Sequence, residues 1–312
     1  MIIMKGKSYK LRKDIRRDWQ LYLFLLLPLT YVLIYSYIPM GGLVIAFEDY
    51  SARKGVFGSE WVGLENFKRF FESYQCGRVI KNTLILSSYS IIAGFPLPIC
   101  FALMLNSVKN EKFKKVTQTI VNLPHFISVT VMVGIILQVF NSRTGLYGTI
   151  GQKLTGMYPG DILGSPSAFR HLYVWSAVWQ NFGWDSIVYT ASLSSVDPEY
   201  HEAAQIDGAT RFQRVLHIDI PAILPTIVTM LILRMGRVMT IGFEKVFLMQ
   251  NGLNISASEI ISTYVYQVGL AANGTSDFSY ATSIGMFNSV INLIMITLVN
   301  KISRKLSDTS LW

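Results

Sequence analysis

The sequence predicts an all-α integral membrane protein with six transmembrane helices. Of its 312 residues, 51% are hydrophobic and 15% are charged, whereas a soluble domain carries about 25% charged residues. The hydrophobic residues form runs long enough to cross a hydrocarbon core of about 30 Å as helices. These runs lack the alternation of membrane β-strands, and within lipid only helices or closed barrels satisfy the backbone. The composition therefore excludes an ordinary soluble enzyme.

The six predicted spans follow one another along most of the chain. They cover roughly 21–47, 79–106, 119–140, 171–193, 222–243 and 279–300. The fourth is the least apolar, because it contains Gln180, Asn181 and Asp185. We divide the chain accordingly into an N-terminal tail (1–20), a six-helix domain (21–300) that includes the connection 194–221, and a C-terminal tail (301–312).

The distribution of Lys and Arg predicts the orientation of the chain. The two tails and the connections 107–118 and 194–221 hold 16 of these residues, against nine in the other three connections. Because positive residues are retained on the cytoplasmic side, we expect both termini in the cytoplasm. The net charge of +9 therefore reflects membrane topology and lipid headgroups, including those near the Lys-rich connection 107–118, and we expect no nucleic-acid partner.

The connection 194–221 has the clearest local signals. Asp197 followed by Pro198 is typical of a helix start, and Gly208 can adopt the left-handed conformation that ends a helix. Thr210 and Gln213 then predict a capping box for a second short helix, and Pro221 is expected to open the fifth span. From these residues alone, a rigid partner-binding element and a plain cytoplasmic loop both remain open.

The same stretch resembles a known motif. Glu202-Ala203-Ala204, Gly208 and Ile218-Asp219-Ile220-Pro221 match the EAA motif of binding-protein-dependent ABC importers in composition, spacing and position, with Ile220 in place of Leu. The resemblance implies a type I ABC importer permease fold in a bacterial cell membrane. It also implies that this segment is a coupling helix that docks on an ATPase subunit, with the residues Glu202, Ala203, Ala204, Asp207 and Gly208 carrying the coupling.

Further segments look like the Gram-positive multiple-sugar and polysaccharide-type permeases. They are Lys81-Asn82-Thr83, Gly94-Phe95-Pro96, Leu123 to Ser128, Gly242-Phe243-Glu244 and Leu311-Trp312. The resemblance implies import of sugars or oligosaccharides with a second homologous permease, two ATPase subunits and an extracellular solute-binding protein. An ABC permease for another solute and an ion-coupled secondary transporter are the alternatives. Inverted repeats with broken helices would favour the ion-coupled transporter, and the sequence shows no such repeat.

The chain lacks the motifs of a catalytic subunit. It contains no Gly-x-x-x-x-Gly-Lys-Ser/Thr loop, so we expect ATP and Mg²⁺ to bind the partner ATPase rather than this chain. No nucleophile–base pair is evident among the polar residues of the spans. Its four His and two Cys residues show no metal-ligand spacing, so we expect neither a metal site nor another cofactor.

Polar and aromatic residues within the spans are candidates for the substrate pathway, because polar groups at membrane depth usually face a cavity or another helix. Aromatic rings and amides suit a neutral sugar, although tryptophans there are also found in ordinary packing. The charged candidates could line the pathway, contact an acidic sugar or pair with the partner permease. Asp185 is a possible counter-charge for the arginines among them, although it is expected several ångströms closer to the cytoplasm. The candidates are Trp179, Asn181 and Trp184 in the fourth span, Arg234 and Arg237 in the fifth, and Glu244 after it.

Overall fold

The structure is a computed structural model that describes residues 17–271 and 276–307. The predicted tails lie largely outside these ranges, so the division into tails and a central domain stays a prediction. The described chain is almost entirely helical, as expected. A short antiparallel hairpin lies between the first two long apolar stretches, with β1 (Glu48–Asp49) pairing with β2 (Glu60–Trp61).

Four described helical stretches are long and apolar enough to cross a membrane, and a bent pair raises the number to five. The four stretches are Trp19–Phe47, Tyr74–Asn106, Arg211–Met235 and Phe278–Arg304. The first three stretches contain the regular helices α1 (Trp19–Val32), α3 (Tyr74–Gly94), α4 (Pro96–Asn106), α10 (Arg211–Arg214) and α11 (Ile220–Met235). The fourth stretch is part of helix α15 (Phe278–Ser307).

Other helices lie between these stretches or form the bent pair. They are α2 (Glu65–Glu72), α5 (Glu111–Asn122), α6 (Val129–Val139), α7 (Leu146–Thr155), α8 (Pro166–Leu193), α9 (Pro198–Ile206), α12 (Phe243–Met249), α13 (Ile255–Ser258) and α14 (Ile261–Tyr266).

The predicted third span, 119–140, is not one straight helix. The stretch Glu111–Phe126 meets α6 at an angle of 92°. Pro124 lies in a 3₁₀ turn before the bend, and the Ser128 hydroxyl accepts a hydrogen bond from the Val131 N–H at 3.3 Å, which starts a new helix. Proline and a fresh N-cap thus divide what the hydropathy pattern suggested was continuous.

The predicted end of the fifth span at residue 243 is also wrong, because α11 ends at Met235. The following backbone turns at Arg237, whose carbonyl accepts from the Thr240 N–H at 2.9 Å. The Met239 N–H donates to the Asn292 side chain on α15 at 3.0 Å. Arg234 and Arg237 therefore do not share a helical face, since Arg237 lies beyond the helix.

Helix α8 corresponds to the predicted fourth span and lies in the centre of the bundle. Its 28 residues are long enough to cross a membrane, but its polar residues keep it out of the apolar set. It packs against α3, α4, α5 and α11, and residues such as Phe169 and Tyr173 belong to a buried cluster with α3, α6 and α12. Polar groups are tolerated here because neighbouring helices, rather than lipid, surround them.

Candidate functional site: helix α9 and the polar residues of the bundle

Helix α9 is fixed at both ends by local hydrogen bonds. At its start, the Asp197 carboxylate accepts from the Glu199 N–H at 3.0 Å. At its end, the Ala209 N–H reaches the Ala204 carbonyl at 2.8 Å and the Gly208 N–H reaches Gln205 at 3.1 Å. This double closure requires a left-handed residue, and Gly208 has a φ of 80°. The predicted start and stop of this helix are confirmed.

The predicted capping box also forms, with the Gln213 N–H donating to the Thr210 hydroxyl at 3.3 Å and the Thr210 N–H to Gln213 Oε1 at 2.8 Å. As expected, Pro221 lies in the first turn of the α-helix of the fifth span, α11, but the second short helix is not separate from that span. Helix α10 continues through a π-helical segment, Val215–Asp219, directly into α11. Pro221 lacks an N–H, and the wider π turn before it accommodates the interrupted hydrogen-bond ladder.

Most of α9 is exposed, including Glu202, Ala203 and the following Asp207 and Gly208, while Ala204 is half-buried. The apolar side chain of Ile206 at its end is 87% exposed. Tyr200 and Phe212 are exposed nearby. Exposed large apolar and aromatic side chains grouped in this way are typical of a surface that binds another protein.

A cavity of about 480 Å³ lies between α9 and the ends of the neighbouring helices. Asp219 is buried at its wall, where the carboxylate Oδ1 lies 3.3 Å from His201 Nε2 and accepts from Asn106 Nδ2 at 3.4 Å. Lys114, Arg211 and Arg214 line the same cavity. The loop is thus attached to the bundle by polar side chains, which the motif comparison alone did not reveal.

The three candidates of the fourth span do not form one group. Asn181 Oδ1 lies 3.0 Å from His125 Nδ1, and the His125 ring stacks on Trp184 with centroids 4.4 Å apart. Trp179 is exposed and lies two positions from Asn181, so it points to a different side of α8. His125, at the bend of the third span, was missed as a partner because its approach to α8 depends on the bend.

The charged candidates have different partners. Arg234 forms an ion pair with Asp185 and lies over the Phe95 ring at 5.7 Å. Arg237 is exposed beyond the end of α11. Glu244 accepts from the Thr130 hydroxyl at 3.1 Å. Arg234 therefore has a structural partner within this chain, Asp185, rather than a residue of a partner permease.

A family model described as "Binding-protein-dependent transport system inner membrane component" matches residues 94–308, more than half of the chain. The chain belongs to this family. It is 40% identical over 311 residues to Protein LplB of Bacillus subtilis (strain 168), covering 100% of this chain and 96% of that protein. It is 37% identical to the polygalacturonan/rhamnogalacturonan transport system permease protein YteP of the same organism, with coverage of 100% and 96%.

Solved structures agree with this membership. A chain from a bacterial ABC transporter involved in the import of the acidic polysaccharide alginate superposes with a TM-score of 0.87 and 38% identity, covering 96% of this chain and 99% of that one. A bacterial alginate ABC transporter in complex with an alginate pentasaccharide-bound periplasmic protein gives a TM-score of 0.86. The expected ABC importer permease fold is therefore confirmed, and this family member is embedded in the membrane.

Proposed function

We propose that this chain is the permease subunit of an ATP-driven importer for oligosaccharides that an extracellular solute-binding protein delivers. The observation that carries the proposal is the exposed, doubly capped helix α9, which leads through a short turn into the continuous helix Arg211–Met235. A helix mounted in this way can pass movement of a cytoplasmic partner to the membrane bundle. The full-length similarity to sugar-polymer permeases supports the same function over an ion-coupled carrier.

The proposed assembly contains a second homologous permease and two ATPase subunits, which bind ATP and Mg²⁺. Glu202 and Asp207 supply charged contacts to the ATPase, Ala203 and Ala204 allow close approach, and Gly208 ends the coupling helix. The chain crosses the membrane six times with both termini in the cytoplasm, so α8 and the bent third span count as crossings. Closure of the ATPase pair then moves α9 and opens the pathway in turn to each side.

The substrate class that we propose is an acidic oligosaccharide. The permease of the solved alginate importer and YteP both have names that refer to polymers of acidic sugars. In this chain, Arg234 is neutralised by Asp185, whereas Arg237 is exposed and has no ion pair among the described residues. An arginine suits a carboxylate because its guanidinium donates two parallel hydrogen bonds. The stacked His125 and Trp184 supply a ring surface for sugar faces.

Purification from the native membrane tests the assembly. We expect an ATPase and a second permease to co-purify with the wild-type chain and to be lost, or uncoupled from transport, in the double variant Glu202→Lys, Gly208→Asp. Glu111→Lys is a matched control, because it makes the same charge reversal on the other cytoplasmic connection. A wild-type chain that purifies alone and transports without ATP would contradict the proposal.

Uptake into proteoliposomes that hold the whole complex tests the substrate class. We expect import of oligogalacturonate, and little import of malto-oligosaccharide of equal length, when the matching binding protein and ATP are present. Arg237→Gln should lower the uptake of the acidic sugar. Import of only the neutral sugar would overturn the proposed substrate class and leave the assembly proposal intact.

A further inference from the structure

Asp219 is a buried carboxylate to which neither the motif nor the candidate pathway gives a role. It lies between the two isoleucines of Ile218-Asp219-Ile220-Pro221 and is 2% exposed. A buried carboxylate is costly unless partners satisfy it. Its oxygen Oδ1 meets His201 Nε2 at 3.3 Å and Asn106 Nδ2 at 3.4 Å, both approaching from other helices.

These contacts join three separate elements at one atom. His201 lies on α9, directly before Glu202, and Asn106 is the last residue of α4. Asp219 ends the π-helical segment between α10 and α11. The coupling helix is thereby connected to the cytoplasmic ends of both the second and the fifth predicted spans.

The backbone supplies a first connection between α9 and α10. Helix α9 leads into α10 through Gly208, whose left-handed backbone has open space where a Cβ would lie. Of the other polar side chains on α9, Gln205 bonds within its own helix, to the His201 carbonyl at 3.1 Å. The His201–Asp219–Asn106 contact is therefore a second connection, made by side chains, between α9 and the bundle.

We propose that Asp219 is a positioning residue for coupling, which holds His201 and Asn106 so that displacement of α9 moves both spans together. This inference rests on the proposed function of α9. The charged groups around the site suit such a role, because Arg214 lies one helical turn from Asp219 and Lys114 and Arg211 line the same cavity. Separating Asp219 from these partners would leave a buried charge unpaired, so the contact moves as a unit.

Transport and ATP hydrolysis, measured together on the whole complex in proteoliposomes, test this proposal. We expect His201→Ala to lower the number of sugars imported per ATP hydrolysed by about fivefold or more, the lower end of usual coupling strengths, while the complex still assembles. His201→Gln retains a side-chain donor and should keep most of the wild-type ratio. Gln205→Ala is the matched control, since it truncates a polar residue of the same helix and the same cavity.

Asp219→Asn provides a second variant, because it keeps the size of the side chain and removes its charge. A lowered import-to-hydrolysis ratio in His201→Ala and Asp219→Asn, with an unchanged ratio in Gln205→Ala, supports the positioning role. An unchanged ratio in His201→Ala overturns it. If the double variant Glu202→Lys, Gly208→Asp still assembles and couples normally, the proposed function of α9 fails instead, and the two failures are thus distinguishable.

Discussion

Charged side chains in the interior of this protein are held by groups from distant parts of the chain. Arg78 pairs with the buried Glu259, and Arg170 donates to Asn82 at 3.1 Å. Asn82 in turn donates to the Glu259 carbonyl at 3.1 Å. Such networks restrict the arrangement of helices, because an unsatisfied buried charge is more costly than a broken apolar contact.

Lys245 on α12 is buried with no carboxylate partner among the described residues, so the stability of the protein should depend on pH. It is 6% exposed, its Nζ donates to the Tyr173 carbonyl at 3.1 Å, and burial lowers its pKa from 10.5 to about 8. The unfolded chain therefore binds this proton more tightly than the folded chain. The resulting penalty, about 3 kcal/mol, is fully present below pH 8 and disappears as the pH rises from 8 to 10.5.

We expect Lys245→Met to raise the free energy of unfolding at pH 7, because it removes the buried charge and keeps the length of the side chain. The gain should be about 1–3 kcal/mol and should shrink above pH 9. Thermal unfolding of the purified protein in detergent at pH 7 and pH 9.5 measures both. Lys301→Met on exposed surface is the control, and a gain in Lys245→Met that is equal at both pH values would contradict the argument.

The ion pair between Arg234 and Asp185 gives a second prediction at this scale. Both side chains are partly exposed, so we expect each single neutralisation, Arg234→Gln or Asp185→Asn, to cost about 1–2 kcal/mol, less than for a fully buried pair. The loss of stability in the double variant should be smaller than the sum of the losses in the two single variants. Apparent melting temperatures of the four proteins complete this cycle, and strict additivity would show that the pair contributes nothing.

Single residues were predictable from the sequence where their partners are close along the chain. The left-handed Gly208 and the capping box of Thr210 with Gln213 depend on neighbours within a few positions. The contacts of His125 with Asn181 and of Asp219 with His201 and Asn106 depend on which helices pack together. Hydropathy does not specify that packing, so these residues could be named as polar or charged but could not be paired.

At the scale of elements, the bend of the third span depends on close packing against α8. A Cβ added to Gly183 would lie 2.5 Å from the Val121 carbonyl oxygen and 2.6 Å from the Val121 side chain. Close by, Gln180 donates to the Ile127 carbonyl at 2.7 Å, which satisfies a backbone group at the bend. A glycine and a buried amide thus let α8 lie against an interrupted helix.

We therefore expect Gly183→Ala to destabilise the protein by about 1–3 kcal/mol, since the backbone of α5 must move to make room. Gly134→Ala is the matched control, because Gly134 also lies within a helix and has open space around it; it should be neutral or slightly stabilising. Thermal unfolding of both variants in the same detergent compares them. An equal loss in both would mean that helix contact at Gly183 is unimportant.

The hydropathy pattern located the lipid-facing elements better than the central one. The first, second and last predicted spans coincide with apolar helical stretches, and their predicted ends differ from the observed ends by about five residues or fewer. Helix α8 has a weaker hydropathy signal because it contains polar residues that face other helices. The third span was predicted as one straight helix, although Pro124 and Ser128 interrupt it. A pattern averaged over about 20 residues records composition and does not detect such local breaks.

The whole molecule has an uneven distribution of buried surface. Within the described chain, no residue of α1 is buried, whereas α8 is surrounded by other helices. An apolar helix left uncovered by its own chain needs lipid or another subunit around it. This arrangement is consistent with a family member that works within an assembly rather than alone.

Cysteine labelling tests the six-span topology and the orientation together. Exposed positions lie on four successive connections: Phe57, Phe113, Ile150 and Ile206. Each is changed to Cys in a background in which Cys76 and Cys100, the two native cysteines, are replaced by Ala. A membrane-impermeant maleimide is then applied to intact right-side-out vesicles and to inside-out vesicles.

We expect labelling at positions 57 and 150 from the outside and at positions 113 and 206 from the inside, because six crossings alternate and positive residues remain in the cytoplasm. If positions 113 and 150 are labelled from opposite sides, the bent pair crosses the membrane. If positions 150 and 206 are labelled from opposite sides, α8 crosses it. If 113 and 150 were labelled from one side, the bent pair would be a re-entrant element. The fully inverted pattern would leave the six crossings intact but place α9 outside the cell, where no ATPase could reach it.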